Sequence, residues 1–202
     1  MGRIVASRPR RGSQSRVLRI IAGTWRGRRL RFPAAPGIRP TPDRVRETLF
    51  NWLGGRVDGA HCLDLFAGSG ALGLEALSRG AARVLFVEQD REAARALERL
   101  LEEWGARGAA LRLGDALRVL EGPSERFDVV FVDPPFASGE AARAGERLER
   151  GGWLARQALI YVECAARAGA PAMPGSWRLL KSERAGEVGY HLYERVTDGT
   201  PR

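Results

Sequence analysis

The tetrapeptide Asp133-Pro134-Pro135-Phe136 follows directly on the apolar run Phe127–Val132. A buried strand that ends this way makes a rigid lip at the carboxyl edge of a sheet, where ligands of open α/β sheets bind. Asp133 supplies carboxylate acceptors, and the prolines fix φ and remove backbone donors. The Pro134 carbonyl can then accept a second hydrogen bond beside the flat face of Phe136. Two acceptors next to a stacking ring suit a planar exocyclic amine, such as that of a nucleobase. Asp133, Pro134 and Phe136 are therefore the candidate catalytic residues.

A second motif sits in Asp64-Leu65-Phe66-Ala67-Gly68-Ser69-Gly70-Ala71-Leu72-Gly73, where G-x-G-x-x-G follows a strand and opens a helix. Glu88 closes the next strand 20 residues after Gly68, the place of an acid that takes ribose hydroxyls. A nucleoside cofactor is expected, bound by Asp64, Phe66, Gly68, Ser69, Gly70 and Glu88, with Asp115 and Ala116 after the following strand. A dinucleotide fits the same spacing. Two features favour S-adenosylmethionine. Asp64 before the loop would repel a pyrophosphate but could receive a cationic amino group, and hydride transfer has no use for an amine acceptor at Asp133. Asp115 is placed to accept from the adenine amine, to cap the helix behind it, or both.

The elements that must hold these groups alternate strand and helix. Strands are expected at Cys62–Phe66, Arg83–Glu88, Ala110–Leu113, Phe127–Val132 and Leu159–Glu163. Helices are expected at Ala71–Arg79, Arg91–Trp104, Ala116–Leu120 and near Glu140–Arg150. Repeated βα units with short connections imply a parallel sheet covered by helices. Trp177–Glu183 and Glu187–Val196, joined at Ala185-Gly186, read as an antiparallel hairpin on the sheet edge. Upstream, Leu18–Ala22 and Leu30–Phe32 flank turn glycines and form a second hairpin, loaded with Arg26, Arg28, Arg29 and Arg31. A helix follows, with Thr41 as N-cap, Pro42 at N1 and Val45, Leu49, Trp52 and Leu53 as its apolar stripe.

Charge is concentrated at one end. Residues 1–60 hold 14 arginines against three acids, and the other 142 residues hold 19 bases against 21 acids, within a net charge of +9. That asymmetry points to a polyanion engaged by the N-terminal part. Lys181 is the only lysine. No apolar run nears the roughly 18 residues of a membrane span, and the basic start lacks a signal sequence's apolar core, so a cytoplasmic location is expected. Cys62 and Cys164 read as buried reduced thiols, His61 and His191 as structural, and no metal site is legible. Four segments result: a disordered basic leader over 1–17, the hairpin and linker over 18–38, the main domain over 39–196 and a tail over 197–202.

The run Arg39-Pro40-Thr41-Pro42-Asp43-Arg44-Val45-Arg46-Glu47-Thr48-Leu49-Phe50-Asn51-Trp52-Leu53 resembles the bacterial 16S rRNA guanine-N2 methyltransferase family. So do Arg19–Gly27, the loop Asp64–Gly73, the proline lip and Ile160-Tyr161-Val162-Glu163, and the likeness extends over about residues 18–196. It implies a class I methyltransferase fold: a Rossmann-like, seven-stranded, mostly parallel sheet with an antiparallel last strand. It also implies S-adenosylmethionine as donor and action on one guanine of 16S rRNA in the small ribosomal subunit; a monomer without metal is expected. On this reading helix 41–53 closes over cofactor and target, with Arg39, Thr41, Arg44, Arg46 and Asn51 on the RNA side, joined by Trp25, Arg26 and Arg28 of the hairpin. Three other readings stand: a DNA adenine-N6 methyltransferase, a nicotinamide-dependent oxidoreductase, and a non-catalytic RNA-binding assembly factor.

Overall fold

The computed structural model describes residues 15–33, 41–135 and 139–196. Two antiparallel strands, β1 (Ser15–Arg19) and β2 (Arg29–Pro33), form the N-terminal hairpin. The main domain runs α1 (Asp43–Leu53), β3 (His61–Asp64), α2 (Ala71–Ser78), β4 (Arg83–Glu88), α3 (Arg91–Glu103), β5 (Ala109–Leu113), α4 (Ala116–Val119), β6 (Phe127–Val132), α5 (Glu140–Arg150), β7 (Leu154–Ala165), β8 (Trp177–Ala185) and β9 (Val188–Arg195). The large sheet has the order β5-β4-β3-β6-β7-β9-β8. β3 to β7 pair in parallel, and β9 runs antiparallel between β7 and the edge strand β8.

Strands covered on both faces need apolar residues at nearly every position, and β4 and β6 are buried almost throughout. Alternation along each strand divides the core in two. Cys62, Val84, Phe86, Phe131 and Tyr161 face α1, α2, α3 and the hairpin residues Ile20 and Leu30. Leu63, Leu85, Val87, Val130, Ile160 and Val162 face α4, α5 and Trp153. Winding goes from β3 out to β5, then returns to β6 and β7, so the order reverses between β3 and β6. Such a reversal opens a crevice at the carboxyl ends of the strands.

Several boundaries differ from the sequence reading. α1 begins at Asp43 with Pro42 in the capping place and no side-chain cap, so Thr41 is not an N-cap. Its hydroxyl turns into the core edge instead, as described below. β1 starts at Ser15, inside the segment taken as leader. β7 starts at Leu154 rather than Leu159, because the exposed pair Arg156-Gln157 interrupts its apolar pattern at a register shift against β6.

The hairpin is built into the domain. Its turn residue Gly23 has φ +81, and a Cβ there would stand 1.7 Å from the Ser78 carbonyl oxygen of α2. Ile21 and Ala22 donate their N–H groups to the Glu75 carboxylate at 2.9 and 3.0 Å. Ser78 accepts from the Trp25 N–H and donates to the Ala22 carbonyl. Leu30 and Ile20 are wholly buried, so this arm is core as much as surface.

Candidate active site

Five acids end five adjacent parallel strands at one edge: Asp115 beyond β5, Glu88 on β4, Asp64 on β3, Asp133 beyond β6 and Glu163 on β7. Neighbouring strands lie about 4.8 Å apart, so the row spans the crevice at the switch point. The glycine loop fills its middle. Gly70 holds φ +75 at the start of α2, where a Cβ would press to 2.5 Å from Leu97 Cδ1 of α3. Asp64 lies beneath the loop, 3% exposed, and accepts the Gly73 N–H at 3.0 Å. Burial, opposed by that N–H and joined by the Glu88 charge, raises Asp64 to about 7.

Glu88 takes the Gly68 N–H on Oε2 and the Asp90 N–H on Oε1, both at 2.7 Å. Those bonds aim the carboxylate along the loop and leave one acceptor direction on each oxygen, as hydroxyls of a ribose would require. Asp115 caps α4 by accepting from the Arg118 N–H at 2.9 Å, which confirms the capping half of its expected role. Ala116 is buried behind it, Ser69 is buried in the loop and Phe66 is half-buried. This donor and acceptor set fits S-adenosylmethionine. Acids line the edge and no arginine or lysine among the described residues forms an ion pair with Asp64, Asp133 or Glu163. A pyrophosphate would meet repulsion there, and a cationic nucleoside would not. A shallow cleft runs from the glycine-loop residues Gly68 and Ser69 to Arg31, Phe32 and the α3 residues Ala93 and Leu97. Glu88, Asp115 and Asp133 do not line it, and the row of acids marks the site better than this cleft does.

At the proline lip, Asp133 is half-buried and Pro134 buried. Phe136 and Arg39 lie outside the described residues. Desolvation, then the Glu163 and Asp64 charges, push the Asp133 carboxyl well up, with the Thr41 hydroxyl acting the other way. Thr41 is 5% exposed and donates to Glu163 Oε1 at 3.0 Å, and the Tyr161 hydroxyl donates to the same oxygen at 2.9 Å. Burial raises Glu163 to about 7. The sequence reading missed Glu163 as a site group. Its signal was present: an acid at the end of an otherwise apolar strand, Leu159–Val162, beside the lip.

The proposed RNA-side residues separate into three groups. Arg26, Arg28, Arg44 and Asn51 are exposed, with Arg28 set over the Trp104 ring at 5.3 Å. Trp25 is half-buried and meets Trp104 edge-on at 5.3 Å, so it packs the hairpin against the end of α3. Arg46 is a correction. Its side chain is 0% exposed, donates to the Arg19 carbonyl and to Asp43 Oδ1, and stands 3.6 Å from Glu75. It faces the hairpin rather than a phosphate. Thr41 likewise points inward to the acids.

Elsewhere, Cys62 and Cys164 are free thiols, as expected, though Cys164 is only part-buried and lies 3.4 Å from His191 Nε2. His191 is buried and bonded to Ser182. Among the described residues no cluster of metal-ligating side chains occurs, and no helix is long and apolar enough to cross a membrane.

Residues 18–194 match the family model described as Conserved hypothetical protein 95. Over 187 residues the chain is 48% identical to Ribosomal RNA small subunit methyltransferase D of Escherichia coli K12, covering 93% of this chain and 94% of that one. It is 45% identical to the protein of the same name from Haemophilus influenzae, over 88% of this chain and 93% of the relative. Among solved structures, the Escherichia coli protein yhhF superposes with a TM-score of 0.84 at 46% identity, over 90% of this chain and 99% of the other. An RNA methyltransferase from Salinibacter ruber, solved with S-adenosyl-L-homocysteine, shares the fold at a TM-score of 0.59 and 19% identity, over 81% of this chain and 97% of that one.

Proposed function

This chain belongs to the Conserved hypothetical protein 95 family, and on that footing we propose that it is a methyltransferase acting on 16S rRNA of the small ribosomal subunit. The group modified is the N2 amine of one guanine, and the methyl comes from S-adenosylmethionine. The observation that carries the reading is the placement of Asp133 at the switch point, in one row with Glu88 and Asp115.

When bound, S-adenosylmethionine supplies a methyl group that is already electrophilic. The protein's work is therefore alignment, which can contribute about 7–11 kcal/mol. Glu88 would hold the ribose hydroxyls, the Gly68–Gly70 turn would approach the donor closely, and Asp115 would accept from the adenine amine. Asp133 and the Pro134 carbonyl would take the two hydrogens of the guanine amine. That concentrates electron density on nitrogen and fixes the line of attack. A guanine must leave its stack to reach the lip, and Phe136 is assigned the stacking role, worth roughly 1–3 kcal/mol. The protein would act in the cytoplasm as a monomer.

Incubation with small subunits from an unmethylated strain and labelled donor tests the reading. One N2-methylguanine should be mapped in 16S rRNA by mass spectrometry. Label in DNA adenine, or none in the subunit, would reject it.

The arm makes a separate forecast. Because Ile20 and Leu30 are core residues, its role is probed by substitution and not by deletion. Alanine at Arg26, Arg28, Arg29 and Arg31, all exposed, should flatten log K against log salt by about 0.7 to 0.9 for each phosphate that is no longer neutralised. An unchanged slope in filter binding would take the arm out of the RNA interface.

A further inference from the structure

The sequence places Trp52 with Val45, Leu49 and Leu53 in the apolar stripe of α1, yet only the last three are fully buried. Trp52 is half-buried and turned toward β9. Its indole stacks on the Tyr190 ring, with centroids 5.3 Å apart and planes 27° from parallel. Tyr190 is 3% exposed, and its hydroxyl donates to Glu183 Oε2 at 2.9 Å. The tyrosine is thereby fixed, and it holds the indole in one orientation. In register, Tyr190 lies opposite Glu163, the acid that ends the apolar run of β7 beside the lip. The aromatic pair therefore continues the row of acids outward across β9.

Residues three and four apart share a helix face, so Arg44, Thr48, Asn51 and Trp52 form one stripe of α1. Arg44 and Asn51 are exposed, and Arg44 forms no ion pair among the described residues. About 12 Å of helix separates residues 44 and 52. Side chains lean back toward the helix start, which brings the indole nearer the lip. Glu47 and Glu183, both exposed, border the stripe. A single arginine against two acids is a poor track for a dense run of phosphates. A ring held firmly beside that arginine suits an unpaired base and one phosphate of its strand.

We propose that Trp52 is a stacking platform for an unpaired RNA base flanking the target guanine, with Arg44 on a phosphate of the same strand. The inference rests on the methyl-transfer reading, in which the target stands at the proline lip. A guanine withdrawn from its stack leaves its neighbours without a stacking partner. One of these bases closes on the indole, which Tyr190 backs. Stacking accepts any base, so this contact favours an unpaired strand over a duplex and does not read sequence.

Full-chain variants test it through methyl transfer to small subunits and through a labelled adenylate decamer followed by fluorescence anisotropy. Trp52→Leu keeps an apolar side chain against Tyr190 and removes the ring. It should raise KM for subunits about tenfold and weaken the decamer by a similar factor, the scale of one stacked base. The larger share of the loss should fall on KM rather than kcat. An RNA duplex of ten base pairs should bind the variant as it binds wild type, and Trp52→Phe should recover most of the lost affinity. Arg44→Ala, at an exposed position, should flatten log K against log salt by about 0.7 on the decamer. Trp52→Leu should leave that slope unchanged.

An indole that merely packs α1 on β9 would lower Tm and kcat on substitution and leave decamer affinity alone. That result would overturn the proposal, as would equal losses on decamer and duplex, or a phenylalanine variant no better than leucine. An unchanged slope in Arg44→Ala would overturn it too, whatever the folding of the leucine variant. A KM effect on subunits with none on the decamer would assign Trp52 to a protein surface of the subunit, against the proposal. A wild-type chain that methylates no subunit would sink the functional reading alone, because the decamer comparison judges the platform without turnover.

Discussion

Asp133→Ala is expected to lower methyl transfer by at least about a hundredfold, while the affinity for S-adenosylmethionine stays within a few fold. The scale is that of deleting one preorganised hydrogen-bonding group aimed at a transition state. The cofactor contacts proposed here lie on Glu88, Asp115 and the glycine loop, three strand ends that do not include β6. Stability should move the opposite way from activity. Asp133 is desolvated next to Glu163 and Asp64, so removing it relieves like-charge crowding, and the variant should melt no lower than wild type at pH 8. Such an exchange of activity against stability is typical of functional carboxylates. Calorimetric titration of the cofactor, single-turnover kinetics and melting on one preparation would decide it. Parallel loss of donor binding and turnover would place Asp133 in the cofactor site instead.

The second large effect belongs to Glu75. Its side chain is 0% exposed and binds the Ile21 and Ala22 N–H groups, Arg79 Nε at 2.8 Å and the Arg46 guanidinium. Glu75→Ala would leave the buried Arg46 with Asp43 as its remaining carboxylate, while its Nε and Nη1 lack a hydrogen-bond partner among the described residues, and would free two backbone donors of the arm. Breaking a buried pair from one side costs about 3–5 kcal/mol. For a chain of this size that corresponds to a fall in Tm of roughly 10 °C. The double variant Glu75→Ala, Arg46→Met should recover part of the deficit, because no buried guanidinium is left with unmet donors. A Glu75→Ala protein melting within a degree or two of wild type would show that Ile20, Leu30 and the Ser78 hydrogen bonds hold the arm without Glu75.

The sheet was legible in the sequence because short apolar runs such as Val129–Val132, bounded by turn residues and mostly alternating with helical stretches, read as strands covered on both faces. The lip and the glycine loop were legible for a different reason: prolines and glycines constrain the backbone wherever they occur. What could not be read was direction. In α1, Arg46 and Arg44 look alike on paper, yet one is buried against Arg19 and Glu75 and the other is exposed. That outcome depends on where the arm packs, a contact between residues more than 25 positions apart. Glu75 had a local signal, a lone acid in the run Ala71–Leu77, all of which is buried. An acid in such a place requires long-range partners, even though the pattern does not say which. Glu163 is the same kind of residue at a strand end.

Helix α2 has eight residues, a rod of about 12 Å. Its first turn grows out of the glycine loop and its last turn grips Gly23 and Trp25 of the arm. One short strut therefore joins the grip on the methyl donor to the grip proposed for RNA. With that separation set, the proposed guanine target would be selected by how far it stands from RNA held on the arm.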